Sequence, residues 1–167
     1  MYKKMKTMPK GAVLHLHSTA AVDLEFLIRE YTNEPYYWFN KEKRDIKYSK
    51  TEVEGYHQLT KLRESMGDLE VDRMLLDLMK LTRKDLQSGE SMVIWDEFQY
   101  KFTMTGDLFN LRKNFKKNIT RVFQECVEDG IDHAELRHAT NLVFDENHQP
   151  ISCEEEFTII KAALDDF

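Results

Sequence analysis

Two segments of this chain read as strands, and most of the long interval between them reads as helix, so the fold must join strands that lie far apart in sequence. The first is Gly11-Ala12-Val13-Leu14-His15-Leu16-His17, entered from a turn at Met8-Pro9-Lys10-Gly11. The second covers residues 131–139, from Ile131 to Ala139. Strands alternating with helices build parallel βα units, so the expected class is α/β. Two strands do not complete any α/β domain, and a closed barrel of this type uses eight.

Helical spacing fills much of the rest. Leu24, Leu27, Ile28 and Tyr31 predict a helix over about 23–31. Residues 33–50 are expected to be irregular, with Pro35 as a breaker and the lysine-rich stretch 40–50 as a solvated loop. Further helices are expected over about 51–65, 68–87 and 92–104, the second capped by Asp68 and ended by Ser88-Gly89, the third closed at Gly106. The clearest helix is expected over 107–129. There Asp107 caps the start, Leu108, Leu111, Phe115, Ile119, Val122, Phe123 and Cys126 form one apolar stripe, and Gly130 occupies the C′ position. Ser152-Cys153-Glu154-Glu155 carries a capping-box pattern that opens a last helix, with Phe157, Ile160, Leu164 and Phe167 as its apolar positions. That helix meets no stop signal, as expected of a truncated chain. One domain over 1–167 is therefore expected, with strand 1 at about 11–17, a helical insertion at about 36–106 and strand 2 at about 131–139.

Composition narrows the partners. The 167 residues carry 30 acidic and 24 basic side chains, a net charge of −6, which argues against nucleic acid as the main partner. No apolar run approaches the roughly 20 residues of a membrane helix. Met1-Tyr2-Lys3-Lys4-Met5-Lys6 is basic but lacks the apolar core of a signal peptide, so either the protein is intracellular or its true N-terminus lies upstream. Cys126 and Cys153 form neither a disulfide framework nor a CxxC site, and Cys126 is expected to be a buried free thiol. The sequon Asn118-Ile119-Thr120 falls mid-helix and does not decide the compartment.

His15 and His17 carry the chemistry. Residues i and i+2 of a strand share a face, so both imidazoles project together, and two neutral imidazoles can hold one Zn²⁺ at about 2.0–2.1 Å each. They stand at the C-terminal end of their strand, where α/β barrels place catalytic groups, and the small-residue loop Ser18-Thr19-Ala20-Ala21 follows. The tripeptide alone reads more readily as two idle histidines on a half-exposed strand, and it is the interleaved apolar residues and the small-residue loop after it that shift the reading toward a ligand site.

The run from Met8 to His17 resembles the opening barrel strand of the adenosine deaminase growth factor family, the secreted adenosine deaminases. The likeness continues to Leu27-Ile28-Arg29, returns at Val93-Ile94-Trp95-Asp96-Glu97-Phe98, and reaches Gly130-Ile131-Asp132-His133-Ala134-Glu135-Leu136-Arg137, similar to a second strand with a Glu-x-Arg step. Segment 36–90 is only loosely similar. The resemblance implies the N-terminal portion of a TIM-type (β/α)8 barrel with a helical insertion, the barrel incomplete. It implies a zinc-dependent hydrolase converting adenosine to inosine and ammonia, and secretion, although no signal peptide is visible. His15 and His17 become two metal ligands, Trp95 a residue near the substrate pocket, and Ser18 occupies a position where relatives carry an acidic ribose contact.

The family's later motifs, His-Ala-Gly-Glu, His-Gly and Asp-Asp, have no counterpart here, so no catalytic residue is assigned within this chain. The expectation is an enzyme segment inactive unless completed by a complementary C-terminal half, with a homo-oligomer as another possible assembly. The alternative is a non-catalytic relative acting as a binding or interaction module, and a remoter one is a hydrolase of the same superfamily acting on adenine or AMP. Glu135 and Arg137 are expected to form a buried structural ion pair, and His133 and His138 to be satisfied structural histidines.

Overall fold

The computed structural model describes residues 4, 5, 7–87 and 89–166. Most of the basic opening (Met1, Tyr2, Lys3 and Lys6), the helix-ending Ser88 and the terminal apolar position Phe167 lie outside the described residues. The chain is mixed α/β and divides into two compact units, one of residues 1–23 and 110–167, the other of residues 24–109.

In the first unit, β1 (Gly11–His17) pairs in parallel with β5 (Ile131–Arg137), Gly11 opposite Ile131 and His17 opposite Arg137. Gly11 takes φ 71 at the strand entrance, a left-handed conformation that glycine adopts without steric cost. Lys10 fastens the same corner, its backbone N–H donating to Gly130 O and its Nζ to Asp129 O. A register shift falls between Val13 and Leu16, and the Arg137 guanidinium donates to Leu14 O at 3.0 Å there. Helix α6 (Arg112–Glu128) packs on β5 and on α7 (Cys153–Asp165). Phe115, Ile119 and Val122 form its buried stripe, at the spacing expected from sequence, and Leu111 is buried just before its first turn. Leu14, on the opposite face of β1 from the histidines, is 59% exposed.

The second unit holds α1 (Leu24–Tyr31), an antiparallel sheet of β2 (Tyr37–Asn40), β3 (Asp45–Tyr48) and β4 (His57–Gln58), and helices α2 (Leu59–Met66), α3 (Asp68–Met79), α4 (Arg83–Leu86) and α5 (Ser91–Phe109). The sheet corrects the expectation of an irregular segment and a solvated lysine loop. Tyr37 faces Tyr48 and Phe39 faces Ile46 across the hairpin, all four buried, while Trp38 and Lys47 point the other way. The lysines crowd the hairpin turn, where Asn40 Oδ1 accepts Lys43 N–H.

The helix boundary expected at Gly106-Asp107 also moves. Helix α5 continues through Gly106 to Phe109, and Leu111 is the extended residue that precedes α6. Asp107 lies inside α5 and not at a helix start, and its carboxylate accepts the Tyr48 backbone N–H at 2.7 Å. The new break is fixed by Phe144, which exchanges backbone hydrogen bonds with Asn110 and Arg112. Ser152 does cap α7, accepting Glu155 N–H. Cys126 is a free thiol but only half-buried, and Asn118 of the sequon is fully buried, out of reach of a glycan. Among the described residues no helix is long and apolar enough to cross a membrane.

Candidate metal centre

Strand pleating sets His15 and His17 on one face at the C-terminal end of β1, and their Nε2 atoms converge to 2.9 Å with ring centroids 4.8 Å apart. Such a contact needs a lone pair on one nitrogen and a proton on the other, because two N–H groups at this distance would repel. Both rings are exposed, so a ligand can reach the nitrogens without displacing packed side chains. Two imidazole nitrogens on one tetrahedral zinc stand about 3.3 Å apart. The pair is therefore within about half an ångström of the spacing that a shared zinc demands. Among the described residues no group of three or more His, Cys, Asp or Glu side chains stands close enough to hold a metal.

Ser18 opens a 3-10 turn (Ser18–Ala20) directly after His17 and is buried. Its Oγ lies 3.0 Å from His138 Nδ1, and His138 Nε2 lies 3.3 Å from Glu156 Oε2. Glu156, wholly buried on α7, also accepts Val143 N–H at 2.9 Å and Asn141 N–H at 3.1 Å. One carboxylate thus organises the loop after β5, including Asn141 at φ 63, a conformation asparagine tolerates better than most residues. A serine, histidine and glutamate in series suggest nucleophilic chemistry, but a buried hydroxyl gives no substrate access to an attacking oxygen. His138 is accordingly a satisfied structural histidine, as expected from sequence.

Trp95 belongs to the second unit, on α5, where the residue is 54% exposed and its ring lies 5.6 Å from that of Phe98. Glu135 and Arg137 do pair, at 2.7 Å, but their side chains are 43% and 48% exposed, which corrects the expectation of a buried pair. His133 is likewise exposed, 3.9 Å from Glu135. Sequence reasoning missed Glu156. It sits in the acidic first turn Glu154-Glu155-Glu156, whose charge suits a helix N-terminus and so conceals the one member that turns inward.

The fold and site define an α/β protein with a two-imidazole candidate metal centre at the end of a parallel strand. No family model matches the chain. It is 24% identical over 147 residues to adenosine deaminase 2 of Dictyostelium discoideum, across 82% of this chain and 27% of that protein. It is 26% identical over 161 residues to adenosine deaminase 2 of Sus scrofa, across 88% and 32% respectively. It is 23% identical over 156 residues to the adenosine deaminase of Phlebotomus duboscqi, across 87% and 30%. These matches relate the chain to the adenosine deaminase family, and it spans less than a third of the length of these curated relatives.

Proposed function

We propose that this chain forms the opening part of an adenosine deaminase-like zinc hydrolase, acting on adenosine or a related purine nucleoside. The observation that carries the reading is the convergence of His15 and His17 Nε2 at the end of β1. The relatives' names supply the substrate class. In this reading β1 and β5 are the first two strands of a TIM-type barrel, and the residues between them form an insertion in a single domain.

His15 and His17 hold zinc, which when bound is a Lewis acid that activates water for hydrolysis at neutral pH. The exposure of both rings leaves room for further ligands from outside this segment. The acid that protonates the purine ring comes from there as well, so a complementary C-terminal half is the partner this reading requires. On the resemblance alone Trp95, 54% exposed within the second unit, is retained as a candidate for stacking on a base. Ser18 reaches a nucleoside only if its hydroxyl leaves His138.

The test is a zinc titration of the chain beside a His15→Ala/His17→Ala double variant, with inosine formation from adenosine as second readout. One zinc per chain, lost in the double variant, is expected. Inosine is expected only when the later part of a relative's chain is supplied. Equal zinc binding by the double variant, or zinc-independent inosine formation, would defeat the proposal.

A further inference from the structure

We infer that His138 and Glu156 are positioning residues for the His15–His17 pair, acting through Ser18; the inference rests on the metal-binding reading above. Direction follows from chemistry. The Glu156 carboxylate is surrounded by donors, the N–H groups of Val143 and Asn141 and the ring of His138. His138 Nε2 therefore donates to it, which leaves Nδ1 as a lone pair in the neutral ring. In that form Ser18 is the donor in the 3.0 Å contact with that nitrogen, and the tie between the two residues stands whichever atom carries the proton.

Geometry makes this chain relevant to His17. The ring of His138 is held between Phe115 and Phe157, at 5.4 and 6.2 Å, and its side chain is 4% exposed. His138 is thus a fixed point, anchored on one side by a wholly buried carboxylate. Among the described residues the ring of His17 meets only the equally exposed ring of His15. The Ser18 hydroxyl is a tie from the residue after His17 to the rigid part of the unit. His17 also faces Arg137, the neighbour of His138, so the chain stitches together the ends of both strands. A ligand imidazole is commonly oriented by a second hydrogen-bonded group, and loss of such a group costs about 10–100-fold in metal affinity. Here the orienting group acts on the backbone that carries the ligand.

Ser18→Ala nearly keeps the local volume, His138→Phe puts a somewhat larger apolar ring in place of the imidazole, and His138→Gln retains an amide able to donate to Glu156 and accept from Ser18. Zinc affinity is expected to fall about tenfold in Ser18→Ala and His138→Phe, with melting curves showing a folded protein, and to recover in His138→Gln. In the metal-free protein, the imidazole ¹⁵N signals of His15 and His17 should lose the signature of their shared hydrogen bond in the first two variants. Unchanged ¹⁵N signals together with unchanged zinc affinity in Ser18→Ala would overturn the inference while leaving the metal-binding reading intact. If instead the His15→Ala/His17→Ala variant binds zinc as the parent does, the metal-binding reading falls, and the ¹⁵N signals alone decide whether the tie positions the pair.

Discussion

His15 and His17 touch through their Nε2 atoms, at 2.9 Å, while both rings remain open to solvent. The contact lends the fold little, because an exposed hydrogen bond largely replaces one made with water. Either single alanine substitution should therefore shift stability by no more than about 0.5 kcal/mol. Each should also weaken zinc binding by more than about 100-fold, since losing a ligand exceeds the 10–100-fold range of losing its support. Calorimetric zinc titration and thermal melts of the two variants check both halves. A large loss of stability in either would mark the pair as structural.

Arg63 is a buried cation of the second unit. Its guanidinium donates to Thr32 Oγ1 and to Asp72 Oδ1, both at 2.6 Å, and reaches Asp68 at 3.4 Å. Its side chain is 6% exposed, so it joins α1, α2 and α3 inside the core. Arg63→Ala should cost about 3 kcal/mol, most of it from leaving Asp72 and Thr32 without their donor. Arg63→Lys should cost about 2 kcal/mol, because one ammonium cannot span the contacts of the planar fork. Urea denaturation measures both, and a cost under about 0.5 kcal/mol for the alanine variant would contradict the assignment.

Much of this fold was legible, and the gaps have physical causes. The His-x-His strand and the stripe Phe115, Ile119, Val122 follow from residue spacing, and the parallel pairing from strands that alternate with helices. The β2–β3 hairpin was hidden because its buried residues Phe39 and Ile46 flank a turn crowded with charge, which reads as loop. Gly106 misled because glycine usually breaks a helix, whereas the chain breaks where Phe144 captures Asn110 and Arg112. The tie from Ser18 through His138 to Glu156 joins residues more than a hundred positions apart, and no local pattern encodes it.

Thr82 and Asp85 close the one-turn helix α4 by a reciprocal capping box, Thr82 N–H donating to Asp85 Oδ2 at 2.7 Å and Asp85 N–H to Thr82 Oγ1. The Thr82 backbone N–H above all, then the Thr82 hydroxyl and the Lys101 ammonium, hold the Asp85 carboxyl below the ordinary carboxylate range despite partial burial. A depressed folded pKa means that the stabilisation is complete above the unfolded value, about 3.9, and is lost as pH falls through the folded value. Asp85→Asn should cost about 1 kcal/mol at neutral pH and nothing in strong acid. Denaturation midpoints of parent and variant, measured down the acid limb, should converge. A gap that persists undiminished would show that the charge of Asp85 is immaterial.

Tyr56 gives the corresponding effect at the alkaline end. Burial first, and then donation of its hydroxyl to Asp45 Oδ2 at 2.7 Å, push its pKa up to about 12. Ionisation would place a phenolate against a carboxylate in a partly desolvated site, so the neutral form is favoured in the folded state. The sign is opposite to that of Asp85. The stabilisation is complete below the ordinary tyrosine value of about 10 and is lost as pH rises through about 12. Ultraviolet difference titration should show a late tyrosine phase that disappears in Tyr56→Phe. Asp45→Asn should move that phase earlier without abolishing it, because burial remains while the carboxylate's charge is gone. If the phase stays in place in Asp45→Asn, burial alone sets it and the Tyr56–Asp45 bond contributes nothing to the titration.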